Sequence, residues 1–257
     1  MLKNQTKETS PNKNKNIMDK FRVEVISQTP NPQQVIYAAL HQDYTENFVF
    51  DERDSWPSEA ECGEIIVKRL LAGDRGHYGP LEHPQIIFNC GYFPHSVMQQ
   101  ARTHRVGVSF DVQSLRYTGN QFLDAATGKK DIEDIFYLRP VDYYTDREGK
   151  KYYYSPEQRQ QDLEWCLEAA KRYKIDFDGG MSEEHARGKL PFDYRQHFVV
   201  SFNLRSFLHF ADLRNKKNAQ LEIQKLCEMM WPHFENWAPA IAKWYTTTRL
   251  GKARLAP

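Results

Sequence analysis

The stretch HRVGVSFDVQSLRYTG, residues 104–119, reads as a strand in its middle and as ligand chemistry at both ends. Val106, Val108, Phe110 and Val112 alternate with their neighbours at the period of a half-buried strand. His104 and Arg105 precede the run, and Ser114, Arg116 and Tyr117 follow it. Such a segment carries hydrogen-bonding and cationic groups to two separate points of a fold.

Around it, strand and helix patterns alternate. FRVEVISQT (21–29) predicts a strand, and NPQQVIYAALHQ a helix with Asn31 as N-cap and Pro32 in its first turn. SEAECGEIIVKRLLAG carries a capping box, Ser58 with Glu61, and Gly73 as terminator. HPQIIFNCGYF predicts a strand, and Pro94 opens a helix through HSVMQQARTHR. Residues 120–155 show no clear period and suggest an insertion or irregular loop. Ser155, Pro156 and Gln158 start a helix to about Tyr173; SEEHARGKL is a short helix stopped by Pro191; QHFVVSFN is a strand. From Leu204 to about Thr248 the chain is helical, with breaks near Asn215, Pro232 and Pro239. No repeat or interdomain linker appears, which predicts one α/β domain over 21–257 behind a disordered polar tail, residues 1–20.

A net charge of +1 over 257 residues gives no global pull toward nucleic acid, and no apolar run reaches the length of a membrane span. Cys62, Cys90, Cys166 and Cys227 are far apart, with no CxxC pair, as in a reduced cytoplasmic protein. Neither a dinucleotide glycine fingerprint nor a P-loop is present, and the histidines do not cluster at metal-ligand spacings, so no metal is expected. A bound nucleotide has to be held by side chains and helix ends.

Several side chains sit awkwardly for a purely structural role. Val97, Gln100, Ala101 and His104 share a helical face that is half polar. In the 203–214 helix, Leu204, Phe207, Leu208 and Ala211 form an apolar stripe, Arg205, His209 and Asp212 another face, and Arg214 borders the stripe. An ion pair with Asp193 or Asp212 explains Arg214 structurally; a ligand explains it otherwise. Arg187 and Arg116 read equally as surface charges. Together, Arg105, Arg116, Arg187, Arg205 and Arg214 with Gln100 and Asn203 suit a phosphate-bearing cofactor and a pyrimidine nucleotide.

The run THRVGVSFDVQSLRY resembles the signature of the flavin-dependent thymidylate synthases, and three further segments fit the same family in order: GHYGPLEH (76–83), ARGKLP (186–191) and NLRSFLHFADLR (203–214). The resemblance implies an α+β fold with a central, mostly antiparallel sheet flanked by helices. It implies methylation of dUMP to dTMP with methylenetetrahydrofolate as carbon donor, FAD as cofactor and NADPH as reductant, in a homotetramer with shared active sites. By the same resemblance Thr103, His104, Arg105, Asn203, Leu204, Arg205 and His209 hold FAD. Gln100, Gln113, Ser114, Leu115, Arg116, Arg187 and Arg214 bind dUMP, with Arg214 activating the uracil and His77 serving methylene transfer. Thr103 stands where the signature has Arg, and eight residues rather than seven separate Arg105 from Ser114. Asp111, Val112 or Gln113 therefore takes the place of the family's glutamate. A homologue that binds FAD and nucleotide without methylating is the main alternative reading, and an RNA-binding module a remoter one.

Overall fold

The computed structural model describes residues 20–73, 76–146 and 148–252, so the expected tail lies, except for Lys20, outside the described residues. Its centre is a four-stranded sheet of β1 (Arg22–Gln28), β2 (Gln85–Pro94), β3 (Val108–Val112) and β6 (Arg195–Asn203), ordered β1–β2–β6–β3 with every pair antiparallel. Ile86, Phe88 and Cys90 of β2 and Phe198, Val200 and Phe202 of β6 are buried on one face. On the other, Glu24, Asn89, Val199 and Asp111 form one cross-strand row, exposed except for half-buried Val199. This alternation fixes the register, because a slip by one residue would turn the phenylalanines to solvent.

Helices cover the apolar face. They are α1 (Pro32–Gln42), α2 (Glu59–Ile66), α3 (His95–Ala101), α9 (Leu204–Arg214), α10 (Leu221–Trp237) and α11 (Pro239–Trp244). Phe207 stacks on Phe88 and Phe234, which joins α9 and α10 to the sheet. The capping box of Ser58 and Glu61 forms as expected, and Gly73 takes φ 97° after the last turn. At α1 the expectation fails in detail. Asn31 occupies the cap position with φ 46° and its side chain caps nothing. The carboxylate of Glu59 does so instead, accepting from the backbone N–H groups of Gln33 and Gln34 at 2.8 Å each.

The described residues of 120–155 form regular elements rather than an irregular loop. After α4 (Leu115–Thr118) come α5 (Asn120–Ala126), α6 (Ile132–Ile135) and a hairpin of β4 (Asp142–Thr145) and β5 (Lys151–Tyr154). Their signal was hidden because the elements are too short to show a period. The three helices pack with α7 (Pro156–Asp178) and α8 (Glu183–Ala186) around a second core of Phe122, Phe136 and Tyr173. Helix α7 runs past Tyr173 to Asp178; its cap is the Ser155 hydroxyl accepting from Gln158 N–H at 3.2 Å. Pro232 does not break α10, since Pro232 and Glu228, whose carbonyl loses its donor, are both exposed to water. No described helix is long and apolar enough to cross a membrane.

Candidate active site

The expected helix through His104 ends at Ala101, and the chain turns before entering β3. His104 is thus not on the helical face with Gln100; its N–H closes the turn on the Ala101 carbonyl at 3.1 Å. Val106 is 80% exposed and outside the strand, so the alternation begins only at Val108. Gly107 causes the change of direction. It sits at φ +64°, and a side chain there would collide with Asn203 and Ser206.

That close approach stitches the signature to α9. Asn203 caps the helix by accepting from Ser206 N–H at 2.8 Å, and its own N–H donates to the Gly107 carbonyl at 2.9 Å. The Ser206 hydroxyl donates to the Val106 carbonyl at 2.7 Å. Helix α9 then runs beside the 102–105 turn and delivers Arg214 to its end. The guanidinium donates to His104 Nε2 (3.1 Å), Gln100 Oε1 (3.4 Å), the Gln100 carbonyl (2.9 Å) and Thr103 Oγ1 (2.8 Å). None of these partners is a carboxylate. The expected ion pair with Asp193 or Asp212 is absent: Asp212 is buried against Arg249 at 2.9 Å.

His104 is nearly enclosed. Burial first, then the charge of Arg214 and the neighbouring His209, holds its imidazole down to about 4, so it is neutral at pH 7. Its Nε2 accepts from Arg214, which leaves the proton on Nδ1. Burial also lowers Arg214, without taking it out of the charged range of an arginine at pH 7.

Two cavities share Leu213 in their linings; Arg214 lines the larger, and its partners Thr103 and His104 line the smaller. One, of about 420 Å³, is lined by Thr103, His104, Arg105, Arg205, Ser206 and His209 among others. The other, about 990 Å³, is lined by Gln100, Arg214, Lys216, Gln220 and the β4–β5 tyrosines. Five of the seven residues predicted to hold a flavin therefore line one cavity; Asn203 caps α9 and Leu204 is buried in the core. Arg205 donates to Glu82 at 2.6 Å and lies over the Tyr78 ring. His209 Nδ1 is buried without a hydrogen-bond partner among the described residues. His77 is on the same segment as Glu82 but exposed, bonded to Asp43 at 2.9 Å, and lines neither cavity.

The remaining predicted residues lie elsewhere on this chain. Gln113 bonds to the backbone of His197, Ser114 occupies the N-cap of α4, and Leu115 is buried in the second core. Arg116 pairs with Glu184 at 3.1 Å, and Arg187 is exposed at the end of α8. They stand at the far end of β3 from His104, about 15 Å along the strand. Sequence reading missed Gln220 and Glu222, which extend the contacts of Gln100. The signal was available: Glu222 falls four residues before buried Leu226, on the apolar stripe of α10.

The family described as "Thymidylate synthase complementing protein" matches residues 24–240. The chain belongs to that family. It is 30% identical over 248 residues to the flavin-dependent thymidylate synthase of Haloarcula marismortui, covering 91% of this chain and 99% of the relative. The corresponding enzyme of Nitratidesulfovibrio vulgaris is 27% identical over 215 residues, covering 81% and 80%. Among solved structures, the UMP/dUMP methylase PolB of Streptomyces cacaoi bound with 5-Br dUMP superposes with a TM-score of 0.69 at 21% identity, covering 92% and 97%. The Helicobacter pylori flavin-dependent thymidylate synthase complexed with FAD and dUMP gives 0.62 at 18% identity, covering 82% and 92%. These likenesses support the shared fold, a mixed helical and antiparallel sheet architecture.

Proposed function

We propose that this thymidylate synthase family member methylates dUMP to dTMP, with FAD as cofactor, NADPH as reductant and methylenetetrahydrofolate as carbon donor. The observation that carries the reading is Arg214: a half-buried cation on neutral partners, lining one cavity while its partners Thr103 and His104 line another that is edged by further arginines. No carboxylate is among the partners of Arg214, so its charge is left for a ligand.

The residues of the smaller cavity fit a flavin nucleotide. Arg105 and Arg205 supply forked donors for phosphate oxygens, and the orphaned Nδ1 of His209 awaits a polar partner. FAD bound there, once reduced by NADPH, would supply the electrons that reduce the transferred carbon. Arg214, beside the uracil, favours the ring deprotonated at N3 and so raises electron density at C5, because a nearby cation lowers the pKa of an acid. Neutral His104 and Thr103 hold the guanidinium without competing for protons at pH 7. His77, by its segment's likeness to the family, is assigned to the folate side.

Gln113, Ser114, Leu115, Arg116 and Arg187 complete the dUMP site from a second copy of the chain in a homotetramer. Their separation from Arg214 along β3 supports this reading, with each chain supplying two partial halves of the site. The four thiols, all free and buried, agree with a cytoplasmic protein and with a mechanism that uses no cysteine nucleophile.

The test is turnover. The FAD-loaded protein should form dTMP from dUMP, methylenetetrahydrofolate and NADPH, and its flavin absorbance should shift when dUMP alone is added. A flavin spectrum that responds to dUMP with no dTMP formed would establish binding without methylation, the reading that Thr103 in the signature's arginine position favours.

A further inference from the structure

Glu222, in the first turn of α10, is 1% exposed. Its carboxylate accepts from Arg139 Nε at 2.9 Å, the Tyr137 hydroxyl at 3.1 Å and Gln220 Nε2 at 2.7 Å. The second amide hydrogen of Gln220 goes to Ser96 Oγ at 3.0 Å, and Ser96 is in turn bonded to Asp193. With both hydrogens committed, Gln220 presents its amide oxygen to Gln100, whose Nε2 donates to it. Gln100 accordingly turns its own oxygen to Arg214 Nη1, at 3.4 Å.

The chain has one polarity. A carboxylate only accepts and a guanidinium only donates, so the two amides between them have a single orientation that satisfies every link. Turning the Gln100 amide over would set oxygen against oxygen at Gln220 and N–H against N–H at Arg214.

We propose that Gln220 and Glu222 are positioning residues that fix the amide orientation of Gln100 and thereby the preference for a uracil over a cytosine ring. This rests on the reading of Gln100 and Arg214 as the pyrimidine contacts. Of the five N–H groups of Arg214, four are used by His104, Gln100 and Thr103. Of the two on Gln100, one goes to Gln220. Each residue keeps one donor for a ligand. Two donors suit a ring edge that carries carbonyl oxygens, as uracil does. Cytosine sets an amino group, itself a donor, where uracil has its C4 oxygen. A Gln100 amide free to turn would accept from that amino group and lose the distinction.

The affinities of dUMP and dCMP for the FAD-loaded protein, measured by calorimetry, test this. Gln220→Met and Glu222→Gln should each narrow the dUMP-to-dCMP preference by roughly tenfold, the value of one hydrogen bond to a well-placed partner. The double variant should lose no more than the larger single loss, because both act through the same amide. Glu222→Gln also removes the charge facing Arg139, so its fold is at risk; Gln220→Met leaves that pair intact. An unchanged preference in Gln220→Met, or losses that multiply in the double variant, would overturn the relay. Gln100→Ala separates the two levels. If it leaves the preference unchanged, Gln100 is not a pyrimidine contact and the relay falls with that reading. If it narrows the preference while Gln220→Met does not, only the relay falls.

Discussion

Arg214 Nε donates to His104 Nε2 across 3.1 Å, a bond that exists only while the imidazole is unprotonated on that nitrogen. Protonation would set two cations face to face in a half-buried site. Folding and ligand binding are thereby tied to one proton.

The stability consequence has a definite sign. The folded state holds His104 at about 4, against 6.5 for a solvated histidine, so between these values the unfolded chain binds more protons. The contribution of this site is complete above about pH 6.5 and is lost as pH falls toward 4, up to about 3 kcal/mol in all. Urea unfolding at pH 7 and pH 4.5 should therefore show a smaller acid loss in His104→Gln than in the unsubstituted protein. Equal losses would mean that other groups carry the acid sensitivity.

Arg214→Ala should abolish dTMP formation while the protein still binds FAD, because the cavity proposed for the flavin is lined by Arg105, Arg205 and His209 and not by Arg214. Turnover within a few-fold of the unsubstituted enzyme, measured by dTMP release, would remove the uracil-activating role.

Gly107→Ala should destabilise the protein by about 1–3 kcal/mol, from a backbone held at positive φ and from the collision with Asn203 and Ser206. It should also weaken FAD binding, since the start of α9 has to move. Thermal unfolding and flavin titration measure the two effects; a stable variant that binds FAD normally would show that the stitch is dispensable.

Arg116→Ala should leave stability within about 1 kcal/mol, as expected for an exposed ion pair with Glu184, yet weaken dUMP binding. An unchanged dUMP titration would return Arg116 to the surface.

The thiols should be unreactive. Burial pushes Cys62 and Cys166 up to about 12 and raises Cys90 and Cys227 as well. Folded protein at pH 8 should take up iodoacetamide far more slowly than the urea-unfolded chain, with activity preserved. Rapid inactivation by alkylation would reopen a thiol mechanism.

The sheet was legible because its strands are long and alternate, and β1, β2 and β6 fall where the pattern puts them. Two capping serines were legible because a hydroxyl three residues before a partner is a local code. Other features depend on distant chain. Glu59 caps a helix that begins 27 residues earlier, which no local rule anticipates. The role of Gly107 appears only when α9 is packed against it. For Arg214 the sequence identified an awkward cation on an apolar helix edge. It did not indicate that the partners would be a neutral histidine, an amide and a hydroxyl, since those come from a turn 110 residues away. The relay beyond Gln100 escaped because its members come from α3, the Tyr137–Arg139 segment and the start of α10 at once.

The central place of β6 sets the order in which this protein can become an enzyme. Strand β3 finds no partner in its own neighbourhood; it pairs with β6, whose residues come some ninety positions later in the chain. Closing so long a loop is slow, and no nearby contact rewards it earlier. A ribosome-bound chain that has exposed residues 1–190 carries the whole signature and should bind no flavin. Cofactor capture then becomes a report on completed synthesis: yellow colour should develop only after the last strand has entered the middle of the sheet and α9 has closed over Gly107.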